Sequence, residues 1–238
     1  MSSQSLVAFI IGSGPNVGQH TAAALKAKGY QVALGSRKPV DKDGYFTVAI
    51  DAGKPESIKT AFAEVNKKSG PPSVVIFNAT AFIPAPVPED PLSLPVESFK
   101  EQTDISVGLF AAAQEALSGF RSDSLKNQHK TFIATGNSLP WVPVGNPAAD
   151  PLFLYFGMNI QKTIHLRLLE FLANAYSKEK IRFYFVSLVG ATGGMISSHA
   201  DFANSGPTHA KIYLDFITRD DQADWDYRFT VDGKQWRE

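Results

Sequence analysis

The opening of the chain limits its folding most. An apolar, β-prone run at residues 5–11 (SLVAFII) feeds into a glycine-rich turn at 12–18 (GSGPNVG), and an Ala-rich helical stretch follows at 17–28. Gly29 stops that helix, and residues 30–34 (YQVAL) read as a second strand, which completes one βαβ unit. The pattern then recurs. Strands are expected at 45–50, 73–77, 131–135 and 181–188, with a weaker one at 227–231. Helices are expected at 55–68, with Pro55 at the first position, and at 98–120, with Ser98 and Glu101 forming a capping box. A second long helix spans 151–176, capped by Asp150. This alternation predicts an α/β fold, a doubly wound parallel sheet of about seven strands with helices on both faces. At 238 residues, with no polar linker and no internal repeat, one domain over 1–238 is expected.

Composition removes several function classes. The 23 basic and 23 acidic side chains cancel and form no like-charged block, so neither nucleic acid nor an anionic membrane surface has an electrostatic partner here. The absence of Cys rules out disulfides, thiolate nucleophiles and Cys-based metal centres, and the five scattered His lack the pairing of a metal site. No run approaches the length of a membrane span, and the first apolar stretch lacks the basic flank and cleavage site of a secretory signal. A soluble, cytoplasmic protein is the expectation. Charged residues make up only 19% of the chain, which suggests a large interior, a subunit interface, or both.

The glycine-rich turn is built for a phosphate. Gly12 permits a sharp bend, Gly14 and Gly18 keep side chains away from a close-lying anion, and Ser13, Asn16 and Val17 bring backbone N–H groups to a helix start. The spacing G-x-x-x-G-x-G fits at Gly12 and Gly18 with Asn16 in the middle, a residue that tolerates left-handed backbone angles. No Gly-Lys-Ser/Thr follows, so this is not a Walker-type loop. At the end of the second strand, Ser36 and Arg37 stand where an acid would hold the two ribose hydroxyls of NAD. A small donor beside a guanidinium favours the 2′-phosphate of NADP, with Arg37 and Lys38 as a merely solvated turn the plainer alternative. The missing acid also argues against S-adenosylmethionine. Two Pro-rich segments, 80–95 and 139–151, follow predicted strands at the ligand-binding edge of such a sheet, as stiff surface loops or as walls of a pocket.

In this order the features resemble the short-chain dehydrogenase/reductase family over nearly the whole chain, and the resemblance implies a Rossmann-type domain. Asp51, with Ala52 beside it, matches the family's adenine-contacting Asp. Phe77-Asn78-Ala79-Thr80 is similar to its Asn-Asn-Ala-Gly segment, and Val231-Asp232-Gly233 resembles its last strand. The resemblance implies a mobile substrate lid at 190–220, where His199 and His209 are surface residues or pocket acids. It also implies dimer interfaces on the two long helices, hence a homodimer or homotetramer.

The family's catalytic set is an Asn, a Ser, a Tyr, and a Lys four residues after the Tyr. Carried over, the Tyr is Tyr155, the Lys position is Asn159, the Asn position is Ser106, and the Ser position is Asn137 with Ser138 adjacent. Lys162, two turns beyond Tyr155, is a substitute for the lost Lys, and His165 is read as a packing or interface residue. Without a cation nearby, Tyr155 is a poor base but still a hydrogen-bond donor. The expected function is therefore NADPH-dependent reduction of a small to medium apolar carbonyl, enone or imine. The alternatives are a non-redox enzyme (isomerase, dehydratase or cyclase) and a catalytically inactive NADP-binding regulatory protein. A hydrolase is disfavoured, since the stretch from Gly136 to Pro140 lacks the second Gly of a nucleophile elbow.

Overall fold

Side chains alternate across β1 (Val7–Ile11): Val7, Phe9 and Ile11 enter one buried cluster, Ala8 and Ile10 the other. A strand covered on both faces carries such an unbroken apolar run. In the computed structural model, which describes residues 5–145, 151–196 and 198–237, β1 is an interior strand of an eight-stranded sheet. Its companions are β2 (Gln31–Ser36), β3 (Phe46–Ala49), β4 (Val74–Phe77), β5 (Lys130–Thr135), β6 (Ile181–Leu188), β7 (Asp226–Phe229) and β8 (Gln235–Trp236). The order is β3-β2-β1-β4-β5-β6-β7-β8, and all pairs are parallel except β7 with β8.

One face is covered by α2 (Pro55–Ser69), α3 (Val96–Phe120) and α4 (Phe156–Ala175), which send Phe62, Leu109 and Leu169 into the first cluster. The other is covered by α1 (Val17–Ala27) and α6 (Gly206–Thr218), through Leu25, Tyr213 and Phe216. The order reverses between β1 and β4, so the carboxyl ends of these two strands open a crevice, the place where such sheets take ligands.

The doubly wound parallel sheet is as expected, and several details differ. An eighth strand closes a hairpin: Val231, Asp232 and Gly233, read as a last strand, form its turn, with Gly233 at φ +80°. The Ser98–Glu101 capping box does not form, because Pro95 starts α3 at Val96 and leaves Ser98 inside the first turn. The long helix expected at 151–176 is two elements, a 3-10 turn at Pro151–Tyr155 and then α4, so Tyr155 stands at the helix boundary. Asp150 lies outside the described residues.

The lid expected at 190–220 is half core. Residues 206–218 are α6, and His209 within it is buried, edge-on to Phe229 and Tyr213, with burial pushing its imidazole down to about 4. It cannot serve as a pocket acid. His199 is exposed at the start of α5 (His199–Ala203).

Candidate active site

The turn after β1 is held by its own backbone. The N–H groups of Gly12 and Ser13 both donate to the Gly35 carbonyl, at 3.0 and 3.1 Å, and Asn78 Nδ2 donates to the Gly12 carbonyl at 2.8 Å. Gly12 takes the left-handed φ of +92°, and a side chain there would meet the Asn78–Ala79 backbone at 2.8 Å. A methyl on Gly18 would lie 2.8 Å from the Gly12 carbonyl and the Ser13 Cα, so this glycine lets α1 close onto the turn. Gly14 has nothing within 4 Å of where its Cβ would be. Within the first turn of α1 the Gln19 N–H donates to the Gly14 carbonyl at 3.0 Å, while the N–H groups at the very start of a helix have no carbonyl one turn back.

Asn16 departs from the expected left-handed angle. Its φ is −81°, and its amide nitrogen donates to the Phe202 carbonyl at 2.6 Å and to Ser205 Oγ at 3.3 Å, tying the turn to the α5–α6 segment. Val17, the first residue of α1, is buried.

A cleft of about 1040 Å³ runs from this turn across the ends of β2, β3 and β4. Gly14, Ser36 and Arg37 line it on one side, Asp51 and Ala52 on another, and Asn78, Ala79 and Thr80 on the third. Ser36 is the last residue of β2, which places Arg37 at the rim. Partial burial works against ionisation of Asp51, but hydrogen bonds from Lys54 and the Gly53 N–H, helped by the Lys54 and Arg37 charges, hold its carboxyl below the usual range. Ala52 is buried, and a side chain on Gly108 would overlap its carbonyl, so α3 fixes that corner.

The wall beyond Thr80 rests on two buried glutamines that sequence reasoning missed. Gln102 Oε1 accepts from the Ile83 N–H at 3.1 Å, and its Nε2 donates to the Ile83 carbonyl at 3.1 Å. Gln161 Oε1 accepts from the Thr80 hydroxyl at 2.8 Å, while its Nε2 donates to the Gln102 and Ala81 carbonyls. Gly157 is glycine because a side chain there would overlap the Gln102 amide. The start of the first Pro-rich segment, residues 80–83, is thus a braced wall of the cleft.

The candidate catalytic residues separate. Tyr155 stacks on Phe82, 5.1 Å between ring centroids. Asn159 is engaged at both ends of its amide: Nδ2 donates to the Leu139 carbonyl at 3.0 Å, and Oδ1 accepts from Thr163 Oγ1 at 3.2 Å. Ser106 is buried and donates to the Gln161 carbonyl at 3.4 Å, and Ser138 is buried at the start of a short 3-10 turn. Lys162 is 4% exposed and donates from Nζ to the Thr135 carbonyl at 2.8 Å, at the end of β5. Burial pushes its ammonium down to about 8.

One turn before Lys162 stands Met158, and Asn137 Nδ2 lies 3.5 Å from its sulfur. The structure therefore brings Asn137 together with Met158, not with Tyr155 or Asn159. The spacing of four residues that ends at a buried lysine begins at Met158. The signal in the sequence is Lys162 itself, a lysine on the buried stripe of Gly157, Gln161, His165 and Leu169.

No family profile matches the chain. The chain is 29% identical over 237 residues to a short-chain dehydrogenase/reductase, dmxR12, of Cryptosporiopsis sp. (strain 8999), with 93% of this chain and 90% of the relative covered. Among solved structures it is similar to a 3-ketoacyl-(acyl-carrier-protein) reductase from Brucella melitensis complexed with NADH, at TM-score 0.75 and 17% identity over 98% of this chain and 99% of that one. An alcohol dehydrogenase from the archaeon Thermococcus sibiricus, complexed with 5-hydroxy-NADP, superposes at TM-score 0.74 and 17% identity over 98% and 100% of the two chains. With its strand order, its glycine turn and the near full-length match to dmxR12, the chain is similar to the short-chain dehydrogenases/reductases in sequence and fold, a likeness that supports an oxidoreductase of that kind.

Proposed function

We propose that the chain is an NADPH-dependent reductase of a small to medium apolar carbonyl, enone or imine. The observation that carries this is the cleft itself. At one end Gly14 leaves open space at the start of α1, and at the other Ser36 and Arg37 stand with no acid at the end of β2. The cradle fits a dinucleotide: N–H groups around Gly14, Asn16 and Val17 take the pyrophosphate, and Arg37 with Ser36 takes the 2′-phosphate. Asp51 and Ala52 flank the adenine, and Asn78, Ala79 and Thr80 flank the ribose on the way to Lys162. When bound, the nicotinamide supplies a hydride. Lys162 then takes the role of the family's Lys, holding ribose hydroxyls and placing positive charge beside the reacting carbonyl. Tyr155, by this reading, is part of the pocket wall.

Exposed Val107 and Phe110 on α3 and Ile164 and Phe171 on α4 support a homodimer or homotetramer through these helices. The regulatory alternative draws on Met158, which puts no hydroxyl acid beside Asn137. Calorimetric titration tests the shared claim: NADPH binds, and NADH binds more weakly. Loss of the reduced-nicotinamide absorbance with a panel of carbonyl, enone and imine acceptors then separates a reductase from a silent binder. A folded chain that ignores NADPH overturns both.

A further inference from the structure

The end of β5 presents a hydrogen-bond donor with almost nothing to bind. The Leu139 N–H donates to Asn137 Oδ1 at 3.1 Å. A donor on that side requires oxygen there, which fixes the amide with its nitrogen facing away. That nitrogen meets the Met158 thioether at 3.5 Å, its only partner among the described residues. A thioether is a weak acceptor, and any substrate oxygen outcompetes it. Lys162 stands one turn along the same face of α4, its Nζ held by the Thr135 carbonyl, so its charge is fixed close to this donor.

We infer that Asn137 is a catalytic residue that holds the substrate's oxygen as an anion, and that the acceptor is a conjugated enone. The inference rests on the reductase reading above and narrows it. An iminium nitrogen has no lone pair for the Asn137 N–H. A saturated ketone becomes an alkoxide, which needs a proton as it forms, and Met158 has none to give. General acid help is worth roughly 10²–10⁴-fold, so a site without it discriminates against such ketones. A conjugated enone needs no proton in that step. Its β-carbon gains the hydride, the C=C electron pair moves onto the α-carbon and the carbonyl oxygen, and the C–O group becomes an enolate. Asn137 Nδ2 and the Lys162 charge stabilise that enolate until water protonates the α-carbon. The balance is enone, hydride and one proton giving the saturated ketone, with the nicotinamide oxidised by two electrons.

Three measurements test this. With NADPH, benzylideneacetone is converted to benzylacetone, and benzylacetone is left unreduced. Without cofactor, the chain binds p-nitrophenol preferentially as its phenolate, read from the absorption band, and Asn137→Ala weakens that binding roughly ten- to a hundredfold while Asn137→Ser retains part of it. Met158→Tyr restores a proton donor one turn before Lys162 and raises benzylacetone reduction about a hundredfold. Equal reduction of both ketones by the unaltered chain overturns the inference, as does unchanged phenolate binding by folded Asn137→Ala. Should Met158→Tyr fail to fold, the phenolate titration decides alone. Loss of NADPH binding in the unaltered chain overturns instead the reading on which the inference rests.

Discussion

The side-chain amide nitrogen of Gln161 lies 2.6 Å from the main-chain carbonyl oxygen of Gln102. The same amide reaches Thr80 and Ala81, so one buried side chain of α4 joins α3 to the wall of the cleft. Gln161→Leu removes these bonds and leaves the Thr80 hydroxyl and the Ala81 carbonyl without them. Unmade buried hydrogen bonds cost about 1–3 kcal/mol each, and an exposed Thr80 recovers part of its loss from water. The variant is expected to unfold at lower urea, and its amides at 80–83 to exchange faster with solvent. Unchanged exchange there would show that the brace is dispensable.

Gly14 and Gly18 are two residues of one turn with opposite constraints. Ala at Gly18 forces its methyl into the Gly12 carbonyl and the Ser13 Cα, both backbone atoms that cannot move aside cheaply. Gly18→Ala is expected to lower stability by about 1–3 kcal/mol. Ala at Gly14 meets nothing, so stability is kept, but the methyl stands in the cleft where the pyrophosphate is proposed to lie. Thermal unfolding and NADPH titration should therefore dissociate: the first falls only for Gly18→Ala, while Gly14→Ala loses affinity with its fold intact.

Arg37 carries the proposed choice of cofactor. A hydrogen bond to a charged group is worth about 1.5–3 kcal/mol, so Arg37→Ala is expected to weaken NADPH roughly ten- to a hundredfold and leave NADH nearly unchanged. Parallel loss for both nucleotides would place the guanidinium elsewhere.

The fold was legible because burial on both faces writes continuous apolar strands, as in β1, β4 and β6, between amphipathic helices. The cradle was legible because Gly12, Ser36 and Asp51 are fixed by strand ends. The catalytic end was not. The sequence suggested a helix running unbroken from Pro151 with Tyr155 in its first turns, but that turn is 3-10, and Tyr155 stacks on Phe82. Which residue of α4 faces the end of β5 depends on how the helix is rotated against Thr135, and only the burial of Lys162 reveals that rotation. Gln102 and Gln161 were equally hidden, since a polar residue on a helix reads as solvent-facing until its partners are known.

His165 is buried beside Phe77, edge to face at 5.9 Å, and neither ring nitrogen has a partner among the described residues. Burial, with the Lys162 charge, holds its imidazole well below the usual range, so the ring is neutral. An apolar ring removes two unpaired polar atoms and keeps the packing. His165→Phe is expected to be neutral or stabilising by about 1–2 kcal/mol in urea unfolding. A clear loss of stability would mean that a ring nitrogen is bonded after all.

Lys162 gives the fold a pH signature. Burial holds its folded-state pKa at about 8, below the unfolded value near 10.4. Between these two values the unfolded chain binds the extra proton, so stability rises with pH across that window. Below about pH 8 both states are charged, and the folded state carries the full penalty of a buried ammonium whose one hydrogen-bond acceptor among the described residues is a neutral carbonyl. Lys162→Met removes that penalty. Without cofactor, the variant is expected to be more stable than the unaltered chain at pH 7, and the difference to close as pH rises from about 8 toward 10.4. The same substitution should abolish reduction and weaken NADPH binding, since the proposed ribose contact and the charge beside the enolate both go. A stability difference that stays constant from pH 7 to about 10 would place the titration of Lys162 outside this window and remove burial as the origin of its lowered pKa.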